Sequence, residues 1–324
     1  MHLRSLQHCL AILITATAVF AMPDPPGPAS VCVARSEKIL VPQGISAPKL
    51  LYPQGRVDFD VVEKLVDAAV ACVTGLERTE GWRSLFKGTD RVGIMVEAGR
   101  YPVQLATVET VIDRLVNSGV DPSKIVVFAG DERDLFMAGF NISRDEKNVR
   151  VLGAESEGFR GGVSRLVSDY CDAVVSIGSL QMDPDLGFAG CVSNALTCVT
   201  TARRLELRRQ PAQLGSVAAT PALRQKTKLV LLEAYLPLLA MEEQVRTTWP
   251  YGGLVAGTDP VAVDVVGQQI LQGCFASAKM TMPKPASYLQ PAQARYRLGQ
   301  SDPNQITVKV LGWTPESYVN DSEK

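Results

Sequence analysis

The chain has 324 residues, of which 46% are hydrophobic and 21% charged, so it can bury a sizeable core in one large or two modest domains. Its formal net charge of -1 gives no electrostatic support for nucleic-acid binding. The cysteines include no Cys-x-x-Cys pair, which argues against a zinc ribbon or a ferredoxin-type iron–sulfur cluster.

The first 21 residues have the pattern of a secretory signal peptide. A weakly basic lead precedes an apolar run from Cys9 to Phe20, and Val19 and Ala21 fit the small-residue rule for cleavage. The run is short for a membrane span, so an uncleaved anchor is the alternative, and membrane contact is expected only in that case. We therefore expect a secreted or extracytoplasmic protein.

Export limits the chemistry that is available to the mature chain. Both histidines, His2 and His8, lie in the removed segment, which excludes histidine as a metal ligand, general base or triad member. Export also makes disulfides possible among the six remaining cysteines, and we expect one or two without an assigned connectivity. Cys72, Cys171 and Cys191 have apolar surroundings, which are typical of buried free thiols.

Proline and glycine punctuate residues 22–56, which are predicted to form an extended leader before a single α/β domain over 57–324. Apolar spacing then predicts helices and short buried strands in alternation. The predicted helices cover 58–76, 105–116, 132 to about 140, 162–170 and 187–199, and the predicted strands cover 92–96, 125–128, 149–152, 173–177, 229–232, 254–256 and 306–311. This order predicts a mostly parallel sheet with helices on both faces.

The stretch Leu254–Leu271 is the most informative part of the sequence. An apolar run reads as a buried strand, a Gly-Thr-Asp turn ends it, and Pro260 is predicted to begin a helix because proline is favoured at the first helical position. Asp259 is then the expected N-cap, and Asp264 lies one turn further along, near the positive end of the helix dipole.

Acidic residues follow several predicted strands: Glu97, Asp131, Glu132, Glu233, Asp259 and Asp264. In an open α/β sheet, ligands bind beyond the carboxyl ends of the strands. If these carboxylates converge there, they suit a hard divalent cation such as Mg²⁺ or Ca²⁺. The alternative for each of them is helix capping, which is common at strand-to-helix junctions.

Two polar segments have weaker indications of function. Asp183 and Asp185 lie in a short carboxylate loop that lacks calcium-loop spacing, so a plain turn is favoured. The segment 203–228 is basic, and it reads either as a solvated helix and loop or as a contact with an anion or a membrane surface.

The stretch Leu254–Asp264 resembles the C-terminal signature of the domain of unknown function 362 family. The segments 172–177, 190–196 and 228–233 are similar to the family's central strand, following helix and penultimate strand. The resemblance covers roughly residues 85–312 and implies an α/β fold with a link to redox or metal chemistry. It carries over Asn194, Asp259 and Asp264 as functional positions.

The sequence departs from the family pattern at three places. Glu97-Ala98-Gly99 stands where the family has Lys-Pro-Asn, Gln181-Met182-Asp183 stands where it has Lys-x-His, and Ser193-Asn194 is what is left of its Lys-Asn pair. The family's ferredoxin-type cysteine clusters are also missing.

Our expectation from the sequence is an exported α/β protein that binds a small molecule or a hard cation at the strand ends. Asp264 and Glu233 are the candidate metal ligands or catalytic acid–base groups, and Asn194, Asp259 and Glu97 the candidate ligand-binding residues. If the protein is an enzyme, its acid–base chemistry must rest on carboxylates tuned by burial. The alternative is a non-catalytic secreted relic of the family with a binding or structural role.

Overall fold

A computed structural model describes residues 24–39, 57–242 and 245–313. The predicted signal peptide and most of the predicted leader lie outside these residues. Twelve strands and ten α-helices occur in the described part, and their bounds in chain order are β1 Ala29–Arg35, α1 Phe59–Thr74, α2 Arg78–Leu85, β2 Val92–Val96, α3 Leu105–Ser118, β3 Ile125–Ala129, α4 Glu132–Met137, β4 Arg150–Gly153, β5 Phe159–Arg160, β6 Val163–Ser164, β7 Ala173–Asp183, β8 Gly187–Ala189, α5 Cys191–Asn194, α6 Thr201–Arg209, α7 Gly215–Ala218, α8 Pro221–Arg224, β9 Thr227–Glu242, β10 Val245–Thr248, β11 Gly253–Gly257, α9 Pro260–Ser277, α10 Leu289–Ala294 and β12 Ile306–Gly312.

A large mixed sheet has the strand order β12-β1-β11-β9-β7-β2-β3-β4, with β10 paired to β9 and β8 paired to β7. Seven of these eight ordered strands run in one direction, and β11 is antiparallel to both of its neighbours. Helices cover the sheet on both sides, so the predicted α/β class with a mostly parallel sheet is confirmed.

The alternating side chains of the sheet build two hydrophobic cores. Helices α1 to α4 pack on one side, which we call the first face, with residues such as Ile94, Val127 and Leu231. Helices α5 to α10 pack on the other, the second face, with residues such as Phe128 and Leu232. This two-sided burial explains why the strands read as continuous apolar runs in the sequence.

Local capping chemistry sets the ends of the main helices. Asp58 caps α1 by accepting from the Val61 backbone N–H at 3.1 Å, and Gly75 ends the helix in the left-handed conformation. Asp259 caps α9 by accepting from the Val261 and Ala262 N–H groups at 2.9 and 3.0 Å, with Pro260 at the first helical position. The predicted strand–turn–helix unit at 254–271 is therefore confirmed.

The prediction of an extended leader over 22–56 is wrong where the structure describes it. Strand β1 lies inside the sheet between β12 and β11, and its residues Val31–Ala34 are buried. The flanking prolines made this segment resemble a loop in the sequence. In addition, β1 pairs only with strands more than 200 residues away, so it leaves no local periodic signal. Residues 40–56 of the predicted leader lie outside the described part.

Other differences are local. The predicted buried helix at 187–199 is instead strand β8, the single turn α5 and a 3-10 turn Ala195–Cys198. Cys32 on β1 and Cys72 on α1 form a disulfide, so the interpretation of Cys72 as a free thiol is wrong, whereas Cys171 and Cys191 are buried free thiols as expected. Within the three described ranges, none of the helices combines the length and apolar composition that a bilayer span requires.

Candidate functional site

The strand order creates a crevice between β2 and β7. The chain moves outward from β2 through α3 on the first face to β3 and β4, and then returns to β7 on the opposite side of β2. The segment after β2 therefore leads to the first face, and the segment after β7 leads to β8 and α5 on the second face. Diverging connections of this kind mark the topological switch point where open α/β sheets bind ligands.

A cavity of about 160 Å³ occupies this crevice at the carboxyl ends of the parallel strands. The loop after β2, the end of β3, the end of β7 and the helices α5 and α6 surround it. Six charged side chains line it: Glu97, Asp134, Asp183, Arg100, Arg204 and Arg208. We call this cavity with its six charged groups the switch-point pocket.

Arg208 is neutralised by two aspartates on one side of the switch-point pocket. Its Nε donates to Asp185 Oδ2 at 3.0 Å, and a terminal nitrogen pairs with Asp183 Oδ2. Asp183 is buried, and its other oxygen accepts from the Asp185 and Leu186 backbone N–H groups at 2.9 Å each. Asp183 thus organises the turn predicted for this loop and also fixes Arg208, whose charge is compensated within the protein.

Arg204 is less well compensated. Its Nε donates to the Leu196 carbonyl at 3.2 Å, but its terminal NH2 nitrogen is buried and has no hydrogen-bond partner among the described residues. The nearest carboxylate oxygen to that nitrogen belongs to Glu155, at 3.8 Å, and Glu155 already accepts from the Thr201 hydroxyl at 2.6 Å. Arg204 therefore presents a guanidinium with unused donor capacity beside the cavity.

Glu97 and Asp134 are two of the three acidic side chains that line the switch-point pocket. Glu97 Oε1 accepts from the Gly99 N–H at 2.7 Å, while burial of the carboxyl group raises the pKa of Glu97, with Asp134 and Asp183 adding to the effect. Burial and the neighbouring Asp131 carboxylate likewise raise the pKa of Asp134. Carboxyl groups with raised pKa values in a cleft are typical of sites that bind or transfer protons.

Of the residues singled out from the sequence, Glu97 lines the switch-point pocket. Asn194 lies on α5 next to pocket residue Ser193, but its side chain points into the protein. The Asn194 amide nitrogen donates to Met95 O, Ser176 Oγ and Ile177 O at 3.0 to 3.1 Å, and the residue is 1% exposed. The structure assigns it to joining α5 to the strand ends.

Asp264 is enclosed on the second face. It accepts from the Cys191 and Val192 backbone N–H groups at 2.6 and 3.0 Å and from the Tyr288 hydroxyl at 3.0 Å. Burial raises the pKa of Asp264 to about 7, against the opposing effect of these three donors. Asp264 thereby connects α9, α5 and the segment before α10.

Glu233 lies on the first face of the sheet. Its two oxygens accept from the Gln104 backbone N–H, at 3.1 and 2.9 Å, where helix α3 begins. Its partner in the register with the neighbouring strand β11 is Leu254, which belongs to the first-face core. Burial raises the pKa of Glu233 to about 8, so the group is mostly protonated at neutral pH.

The predicted convergence of Glu233, Asp264 and Asn194 in one pocket is therefore wrong. Glu233 points to α3 on the first face and Asp264 to α5 on the second, with the sheet between them. In the part of the chain that the structure describes, no group of three histidine, cysteine, aspartate or glutamate side chains could hold a metal ion. The interpretation of Glu233 and Asp264 as shared ligands of Mg²⁺ or Ca²⁺ does not hold.

Asp259 is separated from the switch-point pocket by the direction of β11. Gly257, at the end of β11, pairs with Val230 near the beginning of β9. The turn after Gly257 therefore lies beyond the amino ends of the parallel strands, at the opposite end from the pocket. Both Asp259 oxygens are occupied by backbone N–H groups, those of Val261 and Ala262 and that of Gln300 at 2.8 Å. The capping alternative accounts for Asp259.

The charged residues that complete the pocket were not proposed as site residues from the sequence. Arg204 and Arg208 belong to the basic segment for which an anion contact was the minor interpretation, and Asp183 to the loop read as a turn. Asp134 has no sequence feature that indicates a functional role, because a single acidic residue in a polar helix is typical of a solvent-exposed position. These positions are distant in sequence, and only the strand order brings them together.

Comparison with known proteins adds little to this geometry. No family model matches the chain, and no curated protein matches it. A solved structure of a Thermotoga maritima protein, a structural genomics target, is similar with 13% identity and a TM-score of 0.38. The match covers 69% of this chain and 60% of that chain, so the present protein spans less than two thirds of its length. A likeness at this level supports no conclusion about function.

Proposed function

We propose that this protein binds a small anionic organic molecule in the switch-point pocket, through Arg204. The observation that carries the proposal is the buried terminal nitrogen of Arg204, which has no hydrogen-bond partner among the described residues. Leaving such a donor unpaired costs about 1–3 kcal/mol, and more for a charged group. Rotation of the guanidinium from Gly130 toward the adjoining cavity would let an anionic acceptor there remove that cost.

Charge and space favour the same class of ligand. Arg208 is already paired with Asp183 and Asp185, so Arg204 and Arg100 are the cations left for a ligand. The Nε atom of Arg100 is also buried without a partner among the residues described. A cavity of about 160 Å³ holds a molecule larger than water but excludes a large cofactor. A small carboxylate or phosphate fits these requirements.

Acid–base catalysis on the bound molecule is the second candidate, and Glu97 is the observation that favours it. Burial raises the pKa of this carboxyl, which brings it toward the range in which a group both accepts and releases protons near neutral pH. The described residues have no histidine, so a carboxyl is the group in the pocket suited to this role. A protein that binds without reaction would correspond to the non-catalytic alternative.

Export and family membership remain part of the proposal. The N-terminal apolar run is the basis for secretion, and the Cys32–Cys72 disulfide supports it because structural disulfides persist mainly in oxidising compartments. The sequence of 254–264 is the basis for placing the chain as a divergent member of the domain of unknown function 362 family.

The test is a calorimetric titration of the purified protein with inorganic phosphate, acetate, malonate and succinate. We expect saturable binding of at least one of these anions and a 10- to 100-fold loss of affinity in Arg204→Met, since a charge-assisted hydrogen bond contributes about 1.5–3 kcal/mol. Arg203→Met is the matched control, because Arg203 lies on the same helix, pairs with Glu206 and does not line the pocket. Equal affinities for the two variants would contradict the proposal.

A further inference from the structure

We infer that the ligand of the switch-point pocket is a small zwitterion, such as a free amino acid, whose amino group lies between Glu97 and Asp134 while its carboxylate meets Arg204. This inference rests on the proposed function, because it names the chemical class that the same pocket would take. It adds a second, cationic point of recognition that the anion-binding proposal does not require.

The carboxylates of Glu97 and Asp134 both lie next to the space beside Gly99. A Cβ atom placed on Gly99 would lie 3.0 Å from Glu97 Oε1 and 4.0 Å from Asp134 Oδ2, so these two oxygens are no more than about 7 Å apart. An ammonium nitrogen that hydrogen-bonds to two carboxylates at ~2.8 Å each spans ~5.6 Å at most. The upper limit exceeds this span by ~1.4 Å, so side-chain rotations that close a gap of at most that size would let one amino group bridge the two carboxylates.

Neither carboxylate has a cationic partner. Among the residues that the structure describes, no lysine or arginine nitrogen lies within 4.0 Å of Glu97 or Asp134, whereas Asp183 in the same pocket is paired with Arg208. Two unpaired carboxyl groups at this distance repel each other when both are ionised. A cationic ligand group would remove the repulsion and allow both to be charged.

The cation and the carboxylate pair are near enough for one small molecule to reach both. Arg204, Asp134 and Glu97 line the same cavity, and the positive charge of Arg204 lowers the pKa of Asp134. The terminal nitrogens of Arg204 lie against Gly130, where an added Cβ would be only 2.1 Å from one of them. Gly130 and Asp134 both line the same cavity. A single α-amino acid in this cavity of about 160 Å³ would lie beside both the guanidinium and the two carboxylates.

Charged groups on the surrounding elements shift the pKa values of Glu97 and Asp134. Those that act on Glu97 or Asp134 are Asp183 from β7, Arg204 and Arg208 from α6, Asp131 and Arg133 at the start of α4, and Glu155. Burial and mutual repulsion raise the pKa values of both carboxyl groups, and an ammonium group between them would lower these values again. Binding of a zwitterion would therefore release into the buffer any proton that the pair holds at the pH of the titration.

The test compares pairs of ligands that differ only in the amino group, by calorimetry on the full protein. The pairs are glycine with acetate, alanine with propionate, and aspartate with succinate. We expect the amino member of at least one pair to bind at least tenfold more tightly, with proton release seen as a dependence of the measured heat on the buffer's ionisation enthalpy. The double variant Glu97→Gln, Asp134→Asn should lose this preference and retain the weaker binding of the carboxylate.

The controls separate this inference from the proposed function. Glu132→Gln, which removes an acid that pairs with Arg144 outside the pocket, should leave the amino preference intact. Thermal unfolding of each variant shows that it is folded. Equal binding within every pair, abolished by Arg204→Met, would overturn the zwitterion alone. Absence of binding by all six compounds would overturn the zwitterion together with the carboxylate form of the proposed function.

Discussion

At the scale of single residues, a glycine determines where the guanidinium of Arg204 can lie. Gly130 directly follows β3, and a Cβ atom there would come within 2.1 Å of one terminal Arg204 nitrogen and 2.8 Å of the other. The backbone of Gly130 has no positive φ, so its role is space and not conformation. Glycine at this position allows the arginine to lie flat against the pocket wall.

Substitution of Gly130 by alanine should therefore weaken ligand binding without unfolding the protein. The clashing atoms are the far end of a flexible side chain, so we expect the free energy of unfolding to change by less than about 1 kcal/mol. Displacement of the guanidinium should lower the affinity for the best-binding anion by about tenfold, equivalent to ~1.4 kcal/mol. Calorimetry and urea unfolding measure the two effects, with Gly27→Ala, which meets no atom within 4 Å, as control. An unchanged affinity would show that Arg204 does not contact the anion.

Glu233 illustrates a carboxyl that is buried for structural reasons. Its pKa rises from an ordinary 4.5 to about 8 because of burial, although Gln104 and Thr107 donate to it. The folded protein therefore keeps this proton over a pH range in which the unfolded chain has lost it. Stability contributed by the group is fully present below about pH 4.5 and falls as the pH rises toward 8.

We predict that Glu233→Gln removes this part of the pH dependence. At pH 5 the two proteins should differ by less than about 1 kcal/mol, because glutamine resembles the protonated acid. By pH 9 the variant should be the more stable by several kcal/mol, with about 5 kcal/mol as the upper limit for a shift of this size. Urea unfolding at pH 5, 7 and 9 measures the difference, and Glu80→Gln on the exposed side of α2 is the control. Parallel profiles for wild type and Glu233→Gln would refute the raised pKa.

At the scale of elements, the sequence predicted the helices and strands that have a local pattern, such as an apolar period, an apolar run or a capping motif. Helices α1 and α3 and strands β2, β3 and β12 have clear apolar periods or runs, and Asp259-Pro260 was sufficient to predict where α9 begins. The direction of β11 has no local signal, because an apolar run of five residues fits either direction. That one reversal separates Asp259 from the parallel strand ends, whereas Glu233 and Asp264 do not converge because they lie on opposite faces of the sheet.

The disulfide joins a strand of the sheet to a helix that packs on its first face. Cys32 on β1 and Cys72 on α1 are 40 residues apart, and their bond holds the first strand of the sheet to the first helix. In the chain-entropy model, a closed loop of this length stabilises the folded state by about 4 kcal/mol. The pairing could not be predicted because β1 itself was not recognised.

Loss of the disulfide should destabilise the protein without changing the pocket. We expect Cys32→Ser, Cys72→Ser to lower the free energy of unfolding by about 2–4 kcal/mol, measured by urea unfolding. Addition of reductant should have the same effect on the wild type and none on the double variant. Anion affinity at a temperature where both are folded should be equal, since neither cysteine lines the pocket. A wild type whose unfolding is insensitive to reductant would contradict this account.

At the scale of the whole molecule, the strand order decides which side chains can act together. Glu233 and Asp264 are both buried acids, yet the sheet separates them. The switch-point pocket, in contrast, brings together side chains from four separate segments, those of Glu97, Asp134, Asp183 and Arg204. The sequence indicated the general position, beyond the carboxyl ends of the strands, and one of the pocket residues, Glu97. The remaining members depended on β7 returning beside β2, which no local pattern specifies.

The most direct test of the central claim is a crystal structure of the protein grown with the tightest-binding compound from the titrations. We predict electron density for its carboxylate or phosphate group within hydrogen-bonding distance of the Arg204 guanidinium, between the ends of β2 and β7. The same crystals of Arg204→Met should show no ligand there. Density for the ligand at another place, with the switch-point pocket filled by water alone in both proteins, would contradict the account.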